Sequence, residues 1–196
     1  MNTIRHSIAP GVLAALLACF VAAQSQAAAP LPGDSVYWVD AGLTGQDGRT
    51  TAFADGRGEP RVVSMFYASC PFMCPLIIDT IRQTEHALPE AARRRFKVLL
   101  VSFDAERDTP AALKAMAEKR HLDTPRWTLA HARAPDVRRI AAVLGIRYRA
   151  LQDGGFSHAS VLVLLDPDGR IVARSETMGH ADPQFVAAAA TLLASP

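Results

Sequence analysis

Val62-Val63-Ser64-Met65-Phe66-Tyr67-Ala68-Ser69-Cys70-Pro71-Phe72-Met73-Cys74-Pro75 is the stretch that decides the fold class of this chain. Residues 62–67 form a continuous apolar run of strand length that stops at the cysteines, the pattern of a strand buried on both faces of a sheet. Pro75 suits the first turn of a helix, where its missing N–H costs nothing. The apolar positions Ile77, Ile78, Ile81 and Leu88 then fall on one side of that helix. Two cysteines therefore stand at a strand-to-helix junction.

The same alternation continues downstream. Val98 to Phe103 reads as a second buried strand, and Thr109-Pro110 as an N-cap and first helical position of a helix running to about His121. Val137, Ile140, Ala141 and Leu144 keep helical spacing, with Gly145 where a C-cap glycine belongs. Val161 to Leu165 and Arg170 to Ala173 flank the turn sequence Asp166-Pro167-Asp168-Gly169, and a last helix runs from about Pro183 to Leu193. Upstream, Val36 to Val39 and Thr50 to Phe53 read as short strands separated by Gly42, Gly45, Asp47 and Gly48. This order predicts an α/β fold: a thioredoxin-like mixed sheet flanked by helices, with an N-terminal hairpin extension. Fold alone does not assign function.

A chain of 196 residues predicts one domain with a core large enough to need no staples. Its 49% hydrophobic and 20% charged residues are those of a globular protein. The 21 basic and 19 acidic residues include no long basic run, which sets nucleic acid aside as a partner. Arg5 is the sole formally charged side chain before Asp34, and Ile8 to Ala23 is apolar apart from Pro10-Gly11, an export signal pattern. Small residues at Ser25 and Ala27 predict cleavage after Ala27, giving a signal peptide over 1–27, a linker over 28–35 and the folded domain over 36–196. An uncleaved anchor and a lipoprotein signal with Cys19 as the lipidated residue are competing readings. All of them place the folded part in an oxidising, periplasmic compartment, where two free thiols are unusual and a disulfide or metal site is expected.

With Cys19 in the leader, Cys70 and Cys74 are the two cysteines of the mature chain. Their C-x-x-x-C spacing is one residue longer than a thioredoxin-type redox pair. On a helical turn, i and i+4 hold Cβ atoms about 5–6 Å apart, wider than the roughly 3.5–4.5 Å of a disulfide. A metal fits that gap by inserting two bonds of about 2.3 Å. A junction that departs from helical geometry leaves the disulfide open, so the pair is expected to switch between metal-bound and oxidised forms. The helix N-terminus favours the thiolate of both. Soft thiolates favour Cu(I), and an added imidazole makes a site that also holds Cu(II) or Zn(II).

Six histidines are candidates for that imidazole. His6 lies in the leader, His86, His121 and His131 lie in or beside expected helices among polar residues, and His180 follows Met178-Gly179 in a loop. His158 differs: it ends the glycine-bearing loop Asp153-Gly154-Gly155-Phe156-Ser157-His158, which leads straight into the apolar strand at Val161. In a thioredoxin-like sheet that strand start faces the cysteine junction. A structural role is the ordinary fate of a loop histidine, and both readings stand at this point.

Three separated motifs resemble the Sco/SenC family in order and spacing. They are Phe66 to Pro75 with both cysteines, Val101-Ser102-Phe103-Asp104-Ala105-Glu106-Arg107-Asp108-Thr109-Pro110, and Ser157-His158-Ala159-Ser160 leading to Leu165-Asp166-Pro167-Asp168-Gly169. The match covers about Val36 to Arg174. The resemblance implies a thioredoxin-like fold and a metallochaperone that assists assembly of the copper centre of cytochrome c oxidase. It implies one copper, as Cu(I) or Cu(II), on Cys70, Cys74 and His158. It implies as partner the copper-receiving subunit of that oxidase or another periplasmic cuproprotein, with cysteines exposed at the edge of a sheet for exchange. The membrane enters only through the N-terminal anchor or lipid. One departure stands out: the two residues after Cys70-Pro71 are commonly polar in the family, and here they are Phe72 and Met73, either an apolar lip for a partner or core packing. Met73 could add a thioether to Cu(I). Asp104 is expected to orient the site or cap the following turn.

Two other activities use the same sulfurs. A periplasmic thiol-disulfide oxidoreductase would use Cys70 and Cys74 as a catalytic redox pair on cysteines of a copper-receiving protein. A peroxidase would need a cation beside one thiolate, and neither Arg61 nor another arginine is placed there by the sequence. A plain structural disulfide between Cys70 and Cys74 is the remaining reading.

Overall fold

The computed structural model describes residues 29–70 and 72–194; the expected signal over 1–27, with Cys19, lies outside them. The compact unit begins at Leu31, whose side chain packs against the core. Val36–Trp38, expected as a strand, is a 3-10 turn. Ser35 caps it by accepting from the Tyr37 N–H at 3.1 Å while donating to the Asp168 carbonyl at 2.5 Å. That capping hydroxyl ties the segment to the Asp166–Gly169 turn and takes it out of the extended conformation. The N-terminal hairpin exists but is built from β1 (Gly42–Gly45) and β2 (Thr50–Ala52), so two glycines expected in a turn lie in a strand.

Most of the remaining elements follow the alternation read from the sequence; the short helix over 90–95 and the strands over 127–131, 148–150 and 156–158 are additions to it. In chain order the remaining elements are β3 (Arg61–Phe66), α1 (Met73–Ala87), α2 (Glu90–Arg95), β4 (Lys97–Ser102), α3 (Pro110–Lys119), β5 (Trp127–His131), α4 (Ala134–Val143), β6 (Tyr148–Ala150), β7 (Phe156–His158), β8 (Leu162–Leu165), β9 (Ile171–Ser175) and α5 (Pro183–Ala194). Thr109 caps α3 through its hydroxyl, which accepts from the Ala112 N–H. Gly145 follows α4 at φ +61°, the left-handed conformation that glycine adopts without penalty.

Seven strands form one mixed sheet in the order β2-β1-β5-β4-β3-β8-β9. The three central strands β5, β4 and β3 run parallel, β1 and β8 flank them antiparallel, and the edge strands β2 and β9 pair antiparallel with β1 and β8. This is the expected thioredoxin-like mixed sheet flanked by helices. Helix α5 packs on α1, α2 and β9, while α3 packs over β5 and β1. β6 and β7 make a separate two-stranded ribbon. Val62, Val63, Leu100, Val101, Leu129, Val163 and Leu164 form the fully buried sheet interior. Among the described residues no helix is long and apolar enough to cross a membrane.

Two strand pairings position the site. β3 pairs in parallel with β4 up to Phe66 opposite Ser102, so both strands end at the same margin of the sheet. β8 runs antiparallel to β3, with Val63 opposite Val163, and the Ser64 hydroxyl donates to the Val161 carbonyl at 2.8 Å. His158 precedes β8 in the chain, and the start of β8 lies toward the end of β3.

Candidate metal centre

The cysteines follow β3, a central strand, and so sit at the end of the sheet's middle; the expectation of a sheet edge is corrected. Cys70 is 9% exposed and Cys74 is fully buried, so the pair is less accessible than an exposed exchange site would be. The helix begins at Met73, placing Cys74 in its first turn and Cys70 ahead of it in non-helical backbone. Both thiols are free. The Cys74 N–H donates to Cys70 Sγ at 3.4 Å, and the Tyr67 N–H donates to Cys74 Sγ at 3.3 Å. Each sulfur therefore receives a backbone donor from the turn that holds it.

The two thiols are not equivalent. Burial opposes ionisation of Cys70, but N–H groups of Cys74, Phe72 and Met73 at the helix start converge on its sulfur and bring its pKa below the ordinary thiol value. Burial pushes the Cys74 thiol far up, and the neighbouring Cys70 and Asp108 add to that; the single Tyr67 N–H does not offset it. The expected thiolate preference holds for Cys70 and fails for Cys74, because only Cys70 collects several of the unpaired N–H groups. Arg61 starts β3, at the opposite end of the strand from Cys70, and supplies no cation to it.

His158 ends β7 in the ribbon, so the residue expected in a loop is held by strand pairing opposite Tyr148. It is half-buried among aromatic rings, 4.9 Å between centroids from Phe103 and 6.1 Å from Tyr67. Its Nδ1 lies 3.3 Å from the Ala159 carbonyl, an arrangement that orients the ring when Nδ1 carries the proton and leaves Nε2 its lone pair. Burial lowers the His158 pKa, with the Ala159 carbonyl opposing. The imidazole is thus neutral at neutral pH, the form a metal takes.

One ligand atom from each of Cys70, Cys74 and His158 lies within 4.8 Å of the others. Three donors bound to one ion at about 2.0–2.3 Å sit about 3.5–4 Å apart, so the cluster closes on a metal with small adjustments. Two sulfurs and one imidazole are a soft set suited to copper or zinc. His180, His86 and His121 are exposed and His131 ends β5; none of them joins the cluster.

Several residues that shape the site carry no ligand signature in the sequence. Tyr67 and Phe103 contact the His158 ring, and Tyr148 and Phe156 pack on those two. Tyr67 and Phe103 close two apolar strand runs, and such paired run ends are the signal that could have placed them at one margin. Asp108 is buried and accepts from the Ala68 N–H at 2.8 Å and the Ser102 hydroxyl at 2.5 Å, tying the cysteine loop to the end of β4. Asp104 accepts from the Arg107 N–H at 3.0 Å and pairs with its guanidinium, so it caps the turn before α3. Phe72 is 80% exposed and Met73 39% exposed, which resolves the choice between lip and core in favour of a lip.

Comparison with known proteins agrees with this fold. The sequence model of the SCO1/SenC family matches residues 40–194. A Stutzerimonas stutzeri protein named for copper binding is 24% identical over 119 residues, 59% of this chain and 57% of that protein. The match thus spans a little over half the length of that curated relative. The copper-bound structure of Bradyrhizobium japonicum ScoI superposes with a TM-score of 0.62 at 22% identity, over 79% of this chain and 95% of the other. BsSco, a member of the Sco family of cytochrome c oxidase assembly proteins in which a disulfide switch has been identified, superposes with a TM-score of 0.67 at 18% identity, over 81% and 94%. These likenesses establish a shared fold.

Proposed function

Because this chain belongs to the SCO1/SenC family, we propose that it is an exported metallochaperone that holds one copper on Cys70, Cys74 and His158. Its cargo serves assembly of the copper centre of cytochrome c oxidase. The observation that carries this reading is the convergence of two sulfurs and one imidazole nitrogen within 4.8 Å at the end of β3. The named properties of the relatives, copper binding and oxidase assembly, support it. The leader pattern over 1–27 supports export to the periplasm, as cleaved signal, anchor or lipid attachment at Cys19.

The donor chemistry suits a carrier. Two thiolates satisfy Cu(I), and the neutral imidazole lets the same site accept Cu(II). Cys74 is fully buried while Cys70 and the half-buried His158 each border a surface cleft, so an acceptor meets those two ligands before Cys74.

An anaerobic titration of the reduced chain with Cu(I) against a competing chelator tests the reading. One tight equivalent is expected, lost in Cys70→Ser and weakened in His158→Ala. A wild-type chain that fails to compete for copper refutes it.

A second reading is favoured by the unequal thiols. A lowered Cys70 beside a buried, raised Cys74 is the arrangement of an attacking and a resolving cysteine, so the pair would reduce a disulfide in a copper-receiving protein. In that case His158→Ala leaves exchange unchanged, whereas either cysteine variant abolishes it.

A further inference from the structure

Two clefts of about 380 Å³ reach the ligand cluster from the surface. One opens on Cys70 and is lined by Ala68, Pro75, Met116, Lys119 and Arg120. The other opens on His158 and is lined by Arg147, Tyr148, Arg149 and Ser157. Every charged residue lining these two clefts is a cation. The chain as a whole carries 21 basic and 19 acidic residues, and clefts elsewhere mix the signs, as where Glu85 and Glu90 face Arg93, Arg94 and Arg126. Among the described residues, the side chains of Lys119, Arg120, Arg147 and Arg149 make no hydrogen bond or ion pair, unlike Arg57, Arg82, Arg107, Arg126, Arg133 and Arg139. Phe72 and Met73, which lie between the two cysteines in sequence at the start of α1, are exposed.

We propose that these two basic clefts and the Phe72-Met73 lip form a docking surface for an acidic face of the copper-receiving protein, one that surrounds its own metal-binding sulfurs. The inference rests on the copper reading above and deepens it by assigning the partner's chemistry. Unpaired cations at a cleft attract an oppositely charged partner, raise its encounter rate and suppress wrong partners. Exposed Phe72, two residues after Cys70, supplies the apolar anchor that charges alone lack. Transfer is a ligand exchange. Each Cu–S bond to Cys70 or Cys74 that breaks is replaced by one to an acceptor sulfur, the bond to His158 opens to leave a neutral imidazole and copper held by the two acceptor sulfurs, the acceptor thiols release the protons that Cys70 and Cys74 take up, and copper stays Cu(I).

The test uses the copper-loaded chain and two synthetic peptides that carry the same Cys-x-x-x-Cys acceptor, one flanked by glutamates and the other by lysines. At an ionic strength of about 0.01 M, where charges act over roughly 30 Å, the glutamate peptide is expected to receive Cu(I) about tenfold faster than the lysine peptide. At about 1 M, where the range falls to roughly 3 Å, the difference should vanish. Replacing Lys119, Arg120, Arg147 and Arg149 together by glutamate should reverse the order while one copper per chain is still bound. The pairs Lys119→Glu/Arg120→Glu and Arg147→Glu/Arg149→Glu, made separately, should each narrow it. Equal rates for the two peptides at low salt, from a chain that holds its copper, overturn the docking inference and leave the copper reading intact. Anionic phosphatidylserine vesicles that bind the wild-type chain and not the charge-reversed one, with equal peptide rates, assign the cations to a lipid surface and overturn it equally. A chain that binds no copper removes both.

Discussion

Replacing Asp108 by alanine should loosen the cysteine loop and lower the stability of the whole domain together. The buried carboxylate accepts the Ala68 N–H at 2.8 Å and the Ser102 hydroxyl at 2.5 Å, and the same hydroxyl accepts the Asp104 N–H at 2.9 Å. Hydrogen bonds to a charged group are each worth about 1.5–3 kcal/mol, and the orphaned N–H carries its own desolvation cost. Against this, removing a buried carboxyl relieves the burial that holds its pKa above the ordinary value, in spite of these two donors. The balance is a loss of about 3 kcal/mol, or about 6–12 °C in Tm for a domain of this size. Asp108→Asn keeps the shape and an acceptor for Ala68, so it should cost less than about 1.5 kcal/mol. Urea denaturation of the reduced apo chain measures the stability, and the anaerobic Cu(I) titration measures the site. Ala68 lies two residues before Cys70, so Asp108→Ala should also weaken copper binding more than Asp108→Asn does. An alanine variant as stable as the wild type, or an asparagine variant as damaged as the alanine one, refutes the bracing role.

Copper affinity should rise with pH. Cys74 is protonated at neutral pH because burial raises its pKa, so binding as thiolate displaces at least one proton, and competition titrations between pH 6 and 8 should show at least about tenfold tighter Cu(I) binding per unit; a flat profile contradicts the assignment. Gly169 has φ +80°, and a Cβ there would lie 2.5 Å from Tyr37 Cδ2 and 2.8 Å from Ser35 Oγ, so Gly169→Ala should cost about 2–4 kcal/mol. Gly48 has φ +78° with open space around it, so Gly48→Ala should cost only about 1–2 kcal/mol; equal Tm losses would deny the contact contribution. Phe72→Ser should leave Tm and copper stoichiometry unchanged, since the ring is 80% exposed, while slowing transfer to a protein acceptor; a drop in Tm would show that the ring packs at home.

The sequence by itself determined the central strands, the helices capped by Thr109 and closed by Gly145, and the three ligand candidates. Each rests on local chemistry: apolar runs too continuous for anything but a buried strand, a proline and hydroxyl that start a helix, a glycine that ends one, and residue types able to bind a soft metal. Tertiary structure alone decided what depends on partners distant in the chain. Trp127–His131 is a strand because β1 and β4 flank it; its five residues are too short to declare a period. The three-residue strands β6 and β7 exist through each other, and they carry His158 to the sulfurs. Val36–Trp38 reads as a strand by propensity and becomes a 3-10 turn because Ser35 bonds to residue 168. Spacing named the cysteines, whereas their unequal ionisation came from burial: both follow the same strand, yet Cys74 faces the core and Cys70 faces the open N–H groups at the helix start. That burial, and the charge of the clefts around it, are sums over residues far apart in sequence, and a linear pattern does not contain them.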